Sequence, residues 1–539
     1  MNSRRRVTTA LLACLALAAC SKPQPKPVKH VIVLSIDTQR ADRLGPYGET
    51  RPLTPAIDAL AKQSVVFERC AAQASWTSPS MVSLMSGCYV AQELLTIPPD
   101  KQTLAECFQK AGWVTAGFVC NDILNHEHGF DRGCGTFEGE LKPYQPNTPI
   151  LEWLRAHKDE QSFAWIHLNE VHDEGYAYRP QPEGDWRKYR DAHEPFGAQR
   201  MAYYDELSQR LKLTDREASL ARMQEEDGSY DDDVHYEDHR IGEILDELRK
   251  LGTFDDTLLV LCADHGEGLF TREQFFSGTR KKAADNGEPA TLFNTLQMTH
   301  GSQVNTELIH VPLIVHAPGL APGRVAGWVE NVDIAPTLLE LVGIAHLAQH
   351  QGQSLVPLLV DPSDKAALRP AVFSHSRYND SVIDQDSFQL ILASSTGQCD
   401  FNLANQLYDL RADPEARHDL AGLQSARASE LSQLVPRRLR EGLGGGVGPI
   451  SAQTQTILEG LGYVGSTVET LAERFRPRPT AELLGLIDHL AGDCLTRREI
   501  AKVLEERSLS PEERSGVQNW LSKEGSPAVR EILERILKK

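Results

Sequence analysis

The sequence predicts an α/β sandwich in which a large, mostly parallel sheet lies between layers of helices. Short continuous apolar runs, typical of strands buried on both faces, alternate with helical patterns along the first two-thirds of the chain. Asp37 and Asp264 directly follow two of these runs, at the strand ends where functional side chains collect in parallel sheets. A smaller C-terminal α+β subdomain and a helical C-terminal appendage are expected to complete the chain.

The elements can be assigned in order. The apolar run at 30–36 is the first predicted strand, and the pair Thr54-Pro55 opens the first predicted helix. A long amphipathic helix is expected at 230–251, with acidic residues opposite its apolar face and Gly252 as its stop. This βαβ rhythm predicts helices on both faces of the sheet. Further buried strands are predicted at 163–166, 257–262 and 311–315.

Residues 1–19 have the pattern of a bacterial lipoprotein signal peptide. Three consecutive arginines precede an apolar stretch at 7–19 that is too short to span a bilayer. The tetrapeptide at 17–20 resembles a lipobox, which makes Cys20 the lipidated first residue of the mature chain. An ordinary cleaved signal peptide is the alternative, and the cysteine favours lipidation. Residues 20–29, rich in proline and lysine, form the expected tether.

These features predict a location. No later run approaches the roughly 20 apolar residues of a spanning helix, so we expect the chain to be anchored to a membrane through its lipid without crossing it. The expected site is the bacterial cell envelope, on the periplasmic side, with the outer membrane as first choice. This compartment is oxidising, so disulfides are plausible, and Cys120 and Cys134 form the nearest candidate pair.

Composition argues against one class of partner. The chain has 539 residues, 41% hydrophobic and 24% charged, which is an ordinary globular balance. A net charge of −19 argues against a nucleic-acid surface, because such a surface needs a basic patch. A small anionic ester is still compatible with this charge, because a bound metal ion dominates the local field.

Residues 75–87, with the sequence SWTSPSMVSLMSG, carry the most informative motif. They resemble the active-site segment of the sulfatase branch of the alkaline phosphatase superfamily, in which C/S-x-P-x-R opens a helix and a small T/S-G pair closes it. Thr77 stands at the Cys/Ser position, Pro79 matches, and Met81 replaces the arginine. The resemblance continues in order over residues 30–465, through segments at 37–48, 54–61, 331–338, 407–410 and 461–465.

This resemblance implies an alkaline-phosphatase-like sandwich and a division of the chain. Residues 30–345 correspond to a sulfatase-like catalytic domain, and residues 346–465 to the family's smaller C-terminal subdomain. Residues 466–539 have the pattern of short amphipathic helices, for which a packing or partner-binding role is expected.

The residue at position 77 sets the expected chemistry. In true sulfatases the Cys or Ser is oxidised to formylglycine, whose hydrate attacks sulfur. Oxidation of a threonine would give a ketone, so no formylglycine is expected, and the Thr77 hydroxyl is the predicted nucleophile. Pro79 suits the first turn of a helix, which places Thr77 or Ser78 near the N-cap, where the helix dipole favours negative charge.

A divalent metal ion is expected beside this nucleophile. Asp37, Asp264 and His265 supply two hard oxygens and one imidazole nitrogen, enough for a cation with an open position. Thr77 is expected to complete the sphere through its hydroxyl oxygen, whose pKa such coordination lowers. The plainer alternative is that Thr77 only caps a helix and that Asp264 and His265 form a polar turn.

Ligand type favours Zn²⁺ or Mn²⁺ as the cofactor. The imidazole of His265 and the replacement of the family's second aspartate by Thr38 both shift the site toward these ions. Ca²⁺, which suits the carboxylate-rich sphere of many sulfatases, stays an alternative. The same four ligands also resemble those of zinc-dependent phosphoethanolamine transferases that use a threonine nucleophile.

Two histidines are expected to contact the substrate and to act in acid–base catalysis. His172 ends a segment that resembles the family's H…D-P-H-x-P-Y motif, and His300 resembles the histidine downstream of Asp-His-Gly-Glu. Met81 and Ser302 occupy positions where the family places an arginine and a lysine. The loss of both cations weakens the case for a sulfate ester.

Three hypotheses follow for the function. The first is a metal-dependent hydrolase of phosphate monoesters, phosphate diesters or phosphonates, with a covalent Thr77 intermediate. The second is a sulfuric ester hydrolase that works without formylglycine. The third is a catalytically inactive sulfatase-fold lipoprotein that serves as a scaffold. The expected substrate is a small anionic ester or an ester-bearing glycan or lipid.

Overall fold

The computed structural model describes most of the region predicted to hold the catalytic domain. The predicted signal peptide, Cys20 and most of the tether lie outside the described residues. The described residues are 27–90, 95–172, 188–192, 195–273, 291–296, 300–376, 379–393, 405–435, 479–480, 483–484, 500–501, 503–523 and 527–538.

Eight strands of the described residues form the large sheet. They are β1 His30–Ile36, β2 Val65–Ala71, β3 Val114–Val119, β4 Thr136–Glu138, β5 Ser162–Leu168, β6 Thr257–Ala263, β7 His310–His316 and β8 Gly323–Glu330. Their order in the sheet is β4-β3-β5-β1-β6-β7-β2-β8. Strand β7 is antiparallel to both of its neighbours, and every other pair in the sheet is parallel. The prediction of a large, mostly parallel sheet is therefore confirmed.

Strand β1 lies inside the sheet and is buried on both faces. Its first residue, His30, is level with the first residues of both neighbouring strands, β5 and β6. Successive side chains point to opposite faces, so Val31 and Val33 belong to one apolar core and Ile32 and Leu34 to the other. Because both faces need apolar side chains, the strand has the continuous apolar run seen in the sequence.

Helices cover both faces of this sheet. The α-helices are α1 Pro55–Ala61, α2 Thr77–Ser86, α3 Leu104–Lys110, α4 Thr148–Ala156, α5 Ala198–Leu211, α6 Arg216–Leu251, α7 Leu292–Thr295, α8 Thr306–Ile309, α9 Ile334–Leu341, α10 Val356–Val360, α11 Ser425–Leu434, α12 Pro511–Lys523 and α13 Pro527–Lys538. Short 3-10 helices occur at Ala41–Arg43, Gly45–Tyr47, His126–His128, Phe254–Asp256, Asn331–Asp333 and Lys365–Ala367. Across the described ranges, no helix combines the length and the apolar character needed to span a bilayer.

Two smaller units follow the large sheet. Strands β9 Ala371–His375, β10 Asn379–Asp384, β11 Phe388–Ala393 and β12 Gln406–Asp409 form an antiparallel sheet. Helix α11 packs on it through Leu431. Helices α12 and α13 share a separate apolar cluster that contains Trp520 and Leu533. The expected α+β subdomain and helical appendage are thus confirmed, while their sequence boundaries stay predictions.

The central helix α6 is longer than predicted, and its acidic side is buried. It begins at Arg216 rather than at Tyr230, although it ends at Leu251 before Gly252 as expected. The acidic residues predicted to lie opposite its apolar face are also buried, so the helix is covered on both sides in this part. These residues are Asp231, Asp232, Asp233, Glu237 and Asp238.

Hydrogen bonds explain much of this burial. Asp238 accepts from the backbone N–H groups of Ala56 at 2.9 Å and Ile57 at 2.8 Å, at the start of α1. Asp231 accepts from the guanidinium group of Arg43 at 2.9 Å. Buried carboxylates need such partners, and a hydrophobic pattern alone does not reveal them. Helix α6 therefore fixes the segments that follow β1.

The candidate disulfide between Cys120 and Cys134 is not formed in the structure. Cys134 precedes β4 and its sulfur lies beside Gly117 in β3, three residues before Cys120. All described cysteines are free thiols, and burial raises the pKa of Cys120.

A buried ionic cluster joins the large sheet to the antiparallel one. The guanidinium group of Arg369 contacts Glu330, at the end of β8, and Asp333. It also donates to the Tyr89 hydroxyl at 2.6 Å, and that hydroxyl donates to Glu330 at 2.5 Å. Burial raises the pKa of Glu330 to about 7, although Arg369 opposes the shift. Among the described residues, Arg369 is therefore the cation that both of these carboxylates share.

Removal of this cation should destabilise the fold. We expect Arg369→Met to lower the free energy of unfolding by about 3–5 kcal/mol, because it leaves two buried carboxylates without their partner. Arg324→Met is the control, since Arg324 pairs with Glu68 at 2.7 Å but is half exposed, and its loss should cost no more than about 1 kcal/mol. Urea unfolding of both variants measures the difference. Equal losses would contradict the role given to Arg369.

Candidate active site

Parallel strands bring the predicted site residues to one edge of the large sheet. Asp37 directly follows β1, and Asp264 and His265 directly follow β6, which is hydrogen-bonded beside it. Thr77 starts helix α2, in the segment after β2. His172 follows β5, the other neighbour of β1. Sequence positions far apart therefore meet because their strands end at the same edge.

Asp37 and Asp264 are fully buried, and each uses only one carboxylate oxygen in hydrogen bonds. Asp37 Oδ2 accepts from Asn121 Nδ2 at 2.7 Å and lies 3.3 Å from His167 Nε2. Asp264 Oδ1 accepts from the backbone N–H of His265 at 2.7 Å. Among the described residues, the second oxygens, Asp37 Oδ1 and Asp264 Oδ2, have no hydrogen-bond partner.

His265 points one ring nitrogen at these two oxygens. Its Nε2 lies 3.6 Å from Asp37 Oδ1, 3.4 Å from Asp264 Oδ2 and 3.2 Å from Thr77 Oγ1. Its Nδ1 lies 2.9 Å from the carbonyl oxygen of Gly266. Because a carbonyl oxygen only accepts, Nδ1 carries the hydrogen in the neutral ring. Nε2 then presents its lone pair to the cluster.

The protonation equilibria of the cluster reflect burial and close charges. Burial holds the pKa of His265 well below its ordinary value, and His300 adds to this effect. Burial raises the pKa of Asp264 well above its ordinary value, and Asp37 adds to it. Burial also acts to raise the pKa of Asp37, but His172 and other histidines outweigh it and hold that pKa below its ordinary value. A cation among these groups would favour both carboxylates in ionised form.

Thr77 occupies the first position of helix α2. The residue at the N-cap is Trp76, so Thr77 lies next to the cap, as predicted. Pro79 lies in the first turn, as predicted. Thr77 is fully buried, and its hydroxyl lies at the positive end of the helix dipole. This end of a helix suits an anionic substrate and an ionised hydroxyl.

Three backbone contacts hold these segments together. Ser80 Oγ donates to the carbonyl oxygen of Asp264 at 2.5 Å, and the N–H of Gly301 donates to the carbonyl oxygen of Ser75 at 2.7 Å. Thr38 has a φ of 55°, and its N–H lies 3.2 Å from Asp264 Oδ1. A β-branched residue rarely adopts this left-handed conformation, and such strain is common at functional sites.

The two predicted acid–base histidines lie beside the cluster. The His300 ring centroid is 4.4 Å from that of His265 and 5.1 Å from that of His172. His300 Nδ1 lies 2.9 Å from Glu267 Oε2, while Glu267 Oε1 accepts from the N–H of Gly268 at 2.8 Å. His300 is thus oriented by a carboxylate that is itself fixed by the backbone. All six predicted site residues of the catalytic domain are brought together.

Three residues of this site were not predicted from the sequence. Asn121 and His167 hydrogen-bond to Asp37, and Glu267 to His300. The sequence position of each of them could have indicated its place at the site. Asn121 comes soon after β3 and His167 lies near the end of β5, so both reach the same sheet edge, and Glu267 is part of the Asp-His-Gly-Glu segment.

Met81 and Ser302, which stand where the family places an arginine and a lysine, have different surroundings. Met81 is fully buried in the apolar core on one face of the sheet, so this position supplies no charge to the site. Ser302 is half-buried, and its carbonyl oxygen accepts from Ser376 Oγ at 3.2 Å. The side chains at both positions are therefore uncharged.

The donor set fits a divalent cation. Donor atoms of Asp37, Asp264 and His265 all lie within 4.8 Å of one another. The oxygens that face His265 Nε2 are the two without hydrogen-bond partners, and the Thr77 hydroxyl stands beside them. Buried carboxylate oxygens are costly without a donor or a cation, so this arrangement matches what a metal ion requires.

Comparisons with known proteins agree with this geometry. The chain is 23% identical over 464 residues to choline-sulfatase from Rhizobium meliloti, covering 73% of this chain and 82% of that protein. The fold is similar to a structure solved with its substrate D-glucosamine-2-N,6-O-disulfate, with a TM-score of 0.54, 19% identity and coverage of 76% and 97%. It is also similar to phosphonate monoester hydrolase of Agrobacterium radiobacter, with a TM-score of 0.51, 19% identity and coverage of 76% and 94%.

Family models cover most of the described chain. The Sulfatase model matches residues 29–344, which is more than half of the protein. The model for the C-terminal part of N-sulphoglucosamine sulphohydrolase matches residues 302–441. Together with the sheet order and the relatives above, these matches make the protein an ester hydrolase, of sulfuric or phosphoric esters, that belongs to the sulfatase family of the alkaline phosphatase superfamily.

Proposed function

We propose that this protein is a metal-dependent hydrolase of phosphate or phosphonate esters with Thr77 as its nucleophile. The observation that carries the proposal is the position of Thr77 Oγ1, which lies 3.2 Å from His265 Nε2 at the start of helix α2. This hydroxyl adjoins the two carboxylate oxygens that have no donor in the described part of the chain. No oxidation to formylglycine is required.

A single divalent ion, Zn²⁺ or Mn²⁺, is the proposed cofactor. Asp37, Asp264, His265 and Thr77 would hold it. An imidazole ligand and a small set of donors suit these ions better than Ca²⁺, which takes 6–8 oxygen ligands, although Ca²⁺ remains the alternative. When bound, the ion lowers the pKa of the Thr77 hydroxyl and withdraws charge from the ester.

The side chains of the site would carry out the nucleophilic attack and the proton transfer. The Thr77 oxygen attacks phosphorus while the bond from phosphorus to the ester oxygen breaks. His172 or His300 gives a proton to the departing oxygen, and Glu267 holds His300 in place through Nδ1. Water then cleaves the phosphorus bond to Thr77 and restores its hydroxyl. The N-terminus of α2 stabilises the negative charge at each stage.

Two observations favour phosphorus over sulfur as the reacting atom. Met81 lies in the apolar core and Ser302 is neutral, so the two cations that the family uses toward sulfate are missing at these positions. The phosphonate monoester hydrolase has a similar fold. The second candidate is hydrolysis of sulfuric esters, which the choline-sulfatase relative favours. A small anionic ester or an ester-bearing glycan or lipid is the proposed substrate class.

We also propose that the protein is a lipoprotein held on the periplasmic side of the bacterial cell envelope. The proposal rests on the signal-like residues 1–19 and on Cys20 at the end of the lipobox-like tetrapeptide. A lipid on Cys20 and the tether up to residue 29 would let the catalytic domain reach esters near a membrane surface. The outer membrane is the proposed attachment site.

Replacement of the nucleophile should abolish phosphoester turnover. We expect Thr77→Ala to lower kcat for an aryl phosphate, phosphodiester or phosphonate at least ~10³-fold, since the attacking oxygen is lost. Thr77→Ser keeps a hydroxyl and should retain part of the activity. Thr96→Ala is the control, because Thr96 bonds His128 away from the site and should leave turnover unchanged. Turnover that survives in Thr77→Ala, or a preference for the matching aryl sulfate, would contradict the proposal.

Metal binding should depend on the buried carboxylates. We expect about one Zn²⁺ or Mn²⁺ per chain in carefully dialysed protein and its loss in Asp264→Asn, because this change removes a ligand charge. Asp256→Asn changes an exposed aspartate before β6 and should retain the metal. Elemental analysis of the three proteins measures the content. A wild-type protein that binds no metal and hydrolyses none of the esters would favour the scaffold hypothesis.

Membrane attachment should depend on Cys20. Expressed in a bacterium with its own signal, the protein should be labelled by radioactive palmitate and sediment with membranes. Cys20→Ser should lose both properties, because the thiol that carries the lipid is gone. Cys14→Ser, inside the signal, is the matched control and should behave as wild type. Unlabelled wild-type protein would rule out the lipoprotein assignment.

A further inference from the structure

A series of buried hydrogen bonds leads from the apolar core to the carboxylate of Asp37. Trp165 Nε1 donates to Ser35 Oγ at 3.0 Å, and Ser35 Oγ lies 2.9 Å from His167 Nδ1. His167 Nε2 lies 3.3 Å from Asp37 Oδ2. All four side chains are fully buried. The reaction proposed above uses neither the imidazole of His167 nor the two groups behind it.

Two neighbouring strands place these groups. Ser35 in β1 is directly opposite His167 in β5, and Trp165 lies two residues before His167 on the same face of the sheet. Trp165 and Val33 belong to the apolar core on that face, where a hydroxyl without a partner would be costly. Ser35 is the one polar residue in the run 31–36. Its place in this run therefore indicates a specific partner.

The donors and acceptors determine which nitrogen of His167 carries the hydrogen. The Ser35 oxygen accepts from Trp165 Nε1, so its own hydrogen remains to be donated. The carbonyl oxygen of Ile166 lies 3.5 Å from this hydroxyl, beyond the roughly 2.5–3.0 Å usual for an O–H donor. The hydrogen therefore points to His167 Nδ1 at 2.9 Å, which accepts it through its lone pair. His167 Nε2 then carries the ring hydrogen and donates it to Asp37.

The two oxygens of Asp37 consequently have different surroundings. Oδ2 accepts from His167 Nε2 and from Asn121 Nδ2, the second at 2.7 Å. Oδ1 has no hydrogen-bond partner among the described residues and lies 3.6 Å from His265 Nε2. Two donors on one oxygen restrict the rotation of the carboxylate, so the other oxygen stays directed at the place expected for the cation.

We propose that His167 is a positioning residue for the metal ion. Held by Ser35 and Trp165 in the tautomer with hydrogen on Nε2, it orients the Asp37 carboxylate so that Oδ1 is available to the ion. This inference rests on the metal ion of the proposed function. His167 acts through Asp37 and not on the ester, so its removal should change metal affinity first.

A second histidine–serine pair joins the same two strands and provides a matched control. His30 begins β1 directly opposite Ser162, which begins β5, and His30 Nδ1 lies 2.8 Å from Ser162 Oγ. Both residues are buried. About 20 Å of strand separates this pair from Asp37, so it stabilises the same strands without contact with the site.

Metal affinity can be measured without any turnover. Full-length protein, freed of metal by a chelator, is titrated with Zn²⁺ in competition with a chromophoric chelator. We expect His167→Leu to bind Zn²⁺ roughly 10–100-fold more weakly than the wild type, the range found when a partner of a metal ligand is lost. His167→Gln can still donate an N–H and should recover part of the affinity. His30→Leu and Ser162→Ala should bind Zn²⁺ as the wild type does.

A milder variant keeps the test decisive if His167→Leu does not fold. Ser35→Ala removes the hydroxyl that fixes the tautomer, so the ring can also place its hydrogen on Nδ1, where it cannot donate to Asp37. We expect this variant to weaken Zn²⁺ binding in the same direction by a smaller factor. The melting temperature of each metal-free protein shows whether the fold is intact.

The outcomes distinguish this inference from the proposed reaction. Unchanged Zn²⁺ affinity in folded His167→Leu or Ser35→Ala would overturn the positioning role, even if Thr77-dependent hydrolysis is found. Equal losses in His30→Leu and Ser162→Ala would also overturn it, because they would reflect strand stability alone. The expected losses in a protein that hydrolyses no phosphate or phosphonate ester would support the positioning role and contradict the proposed reaction. A wild type that binds no Zn²⁺, Mn²⁺ or Ca²⁺ would overturn the positioning role, while the Thr77→Ala comparison still decides the reaction.

Discussion

The arrangement of the site depends on two buried carboxylate oxygens that have no hydrogen-bond donor in the described part of the chain. Asp37 Oδ1 and Asp264 Oδ2 both face His265 Nε2, and neither has a donor in the described part of the chain. When both carboxylates are ionised in this buried space, a cation between them offsets their repulsion and the cost of their burial. The neighbouring features match this need, because His265 presents a lone pair through its Gly266 contact and the Thr77 hydroxyl stands within 3.2 Å. This small volume can therefore hold a metal ion beside the Thr77 hydroxyl.

The fold explains why these groups meet and how a family position can be substituted without loss of the architecture. Neighbouring parallel strands β5, β1 and β6 bring the residues that follow them to one edge, and α2 places Thr77, the proposed nucleophile, at its positive end. Met81 fills the apolar core where the family carries an arginine, so packing is preserved while a cation is lost. Fold and metal ligands can persist while the reacting atom of the substrate changes.

Much of the large sheet and of the candidate site could be predicted from the sequence. Continuous apolar runs predicted β1, β5 and β6, and ordered motifs predicted the side chains that meet after these strands. Three features escaped this reasoning because they depend on tertiary contacts. The acidic side of α6 is buried against backbone N–H groups and arginines, which periodicity does not show. Cys120 and Cys134 are free thiols, which spacing along the chain does not show. Asn121 was missed because one amide after a strand has no motif around it.

A covalent adduct on Thr77 tests the central claim most directly. Protein mixed with an aryl phosphonate ester is quenched with acid within the first turnovers, and the tryptic peptide 70–101 is examined by mass spectrometry. The account predicts that this peptide gains one phosphonyl group, that fragmentation assigns it to Thr77, and that prior removal of metal by a chelator prevents it. Turnover of the ester without any adduct on this peptide, or an adduct on another residue, would contradict it.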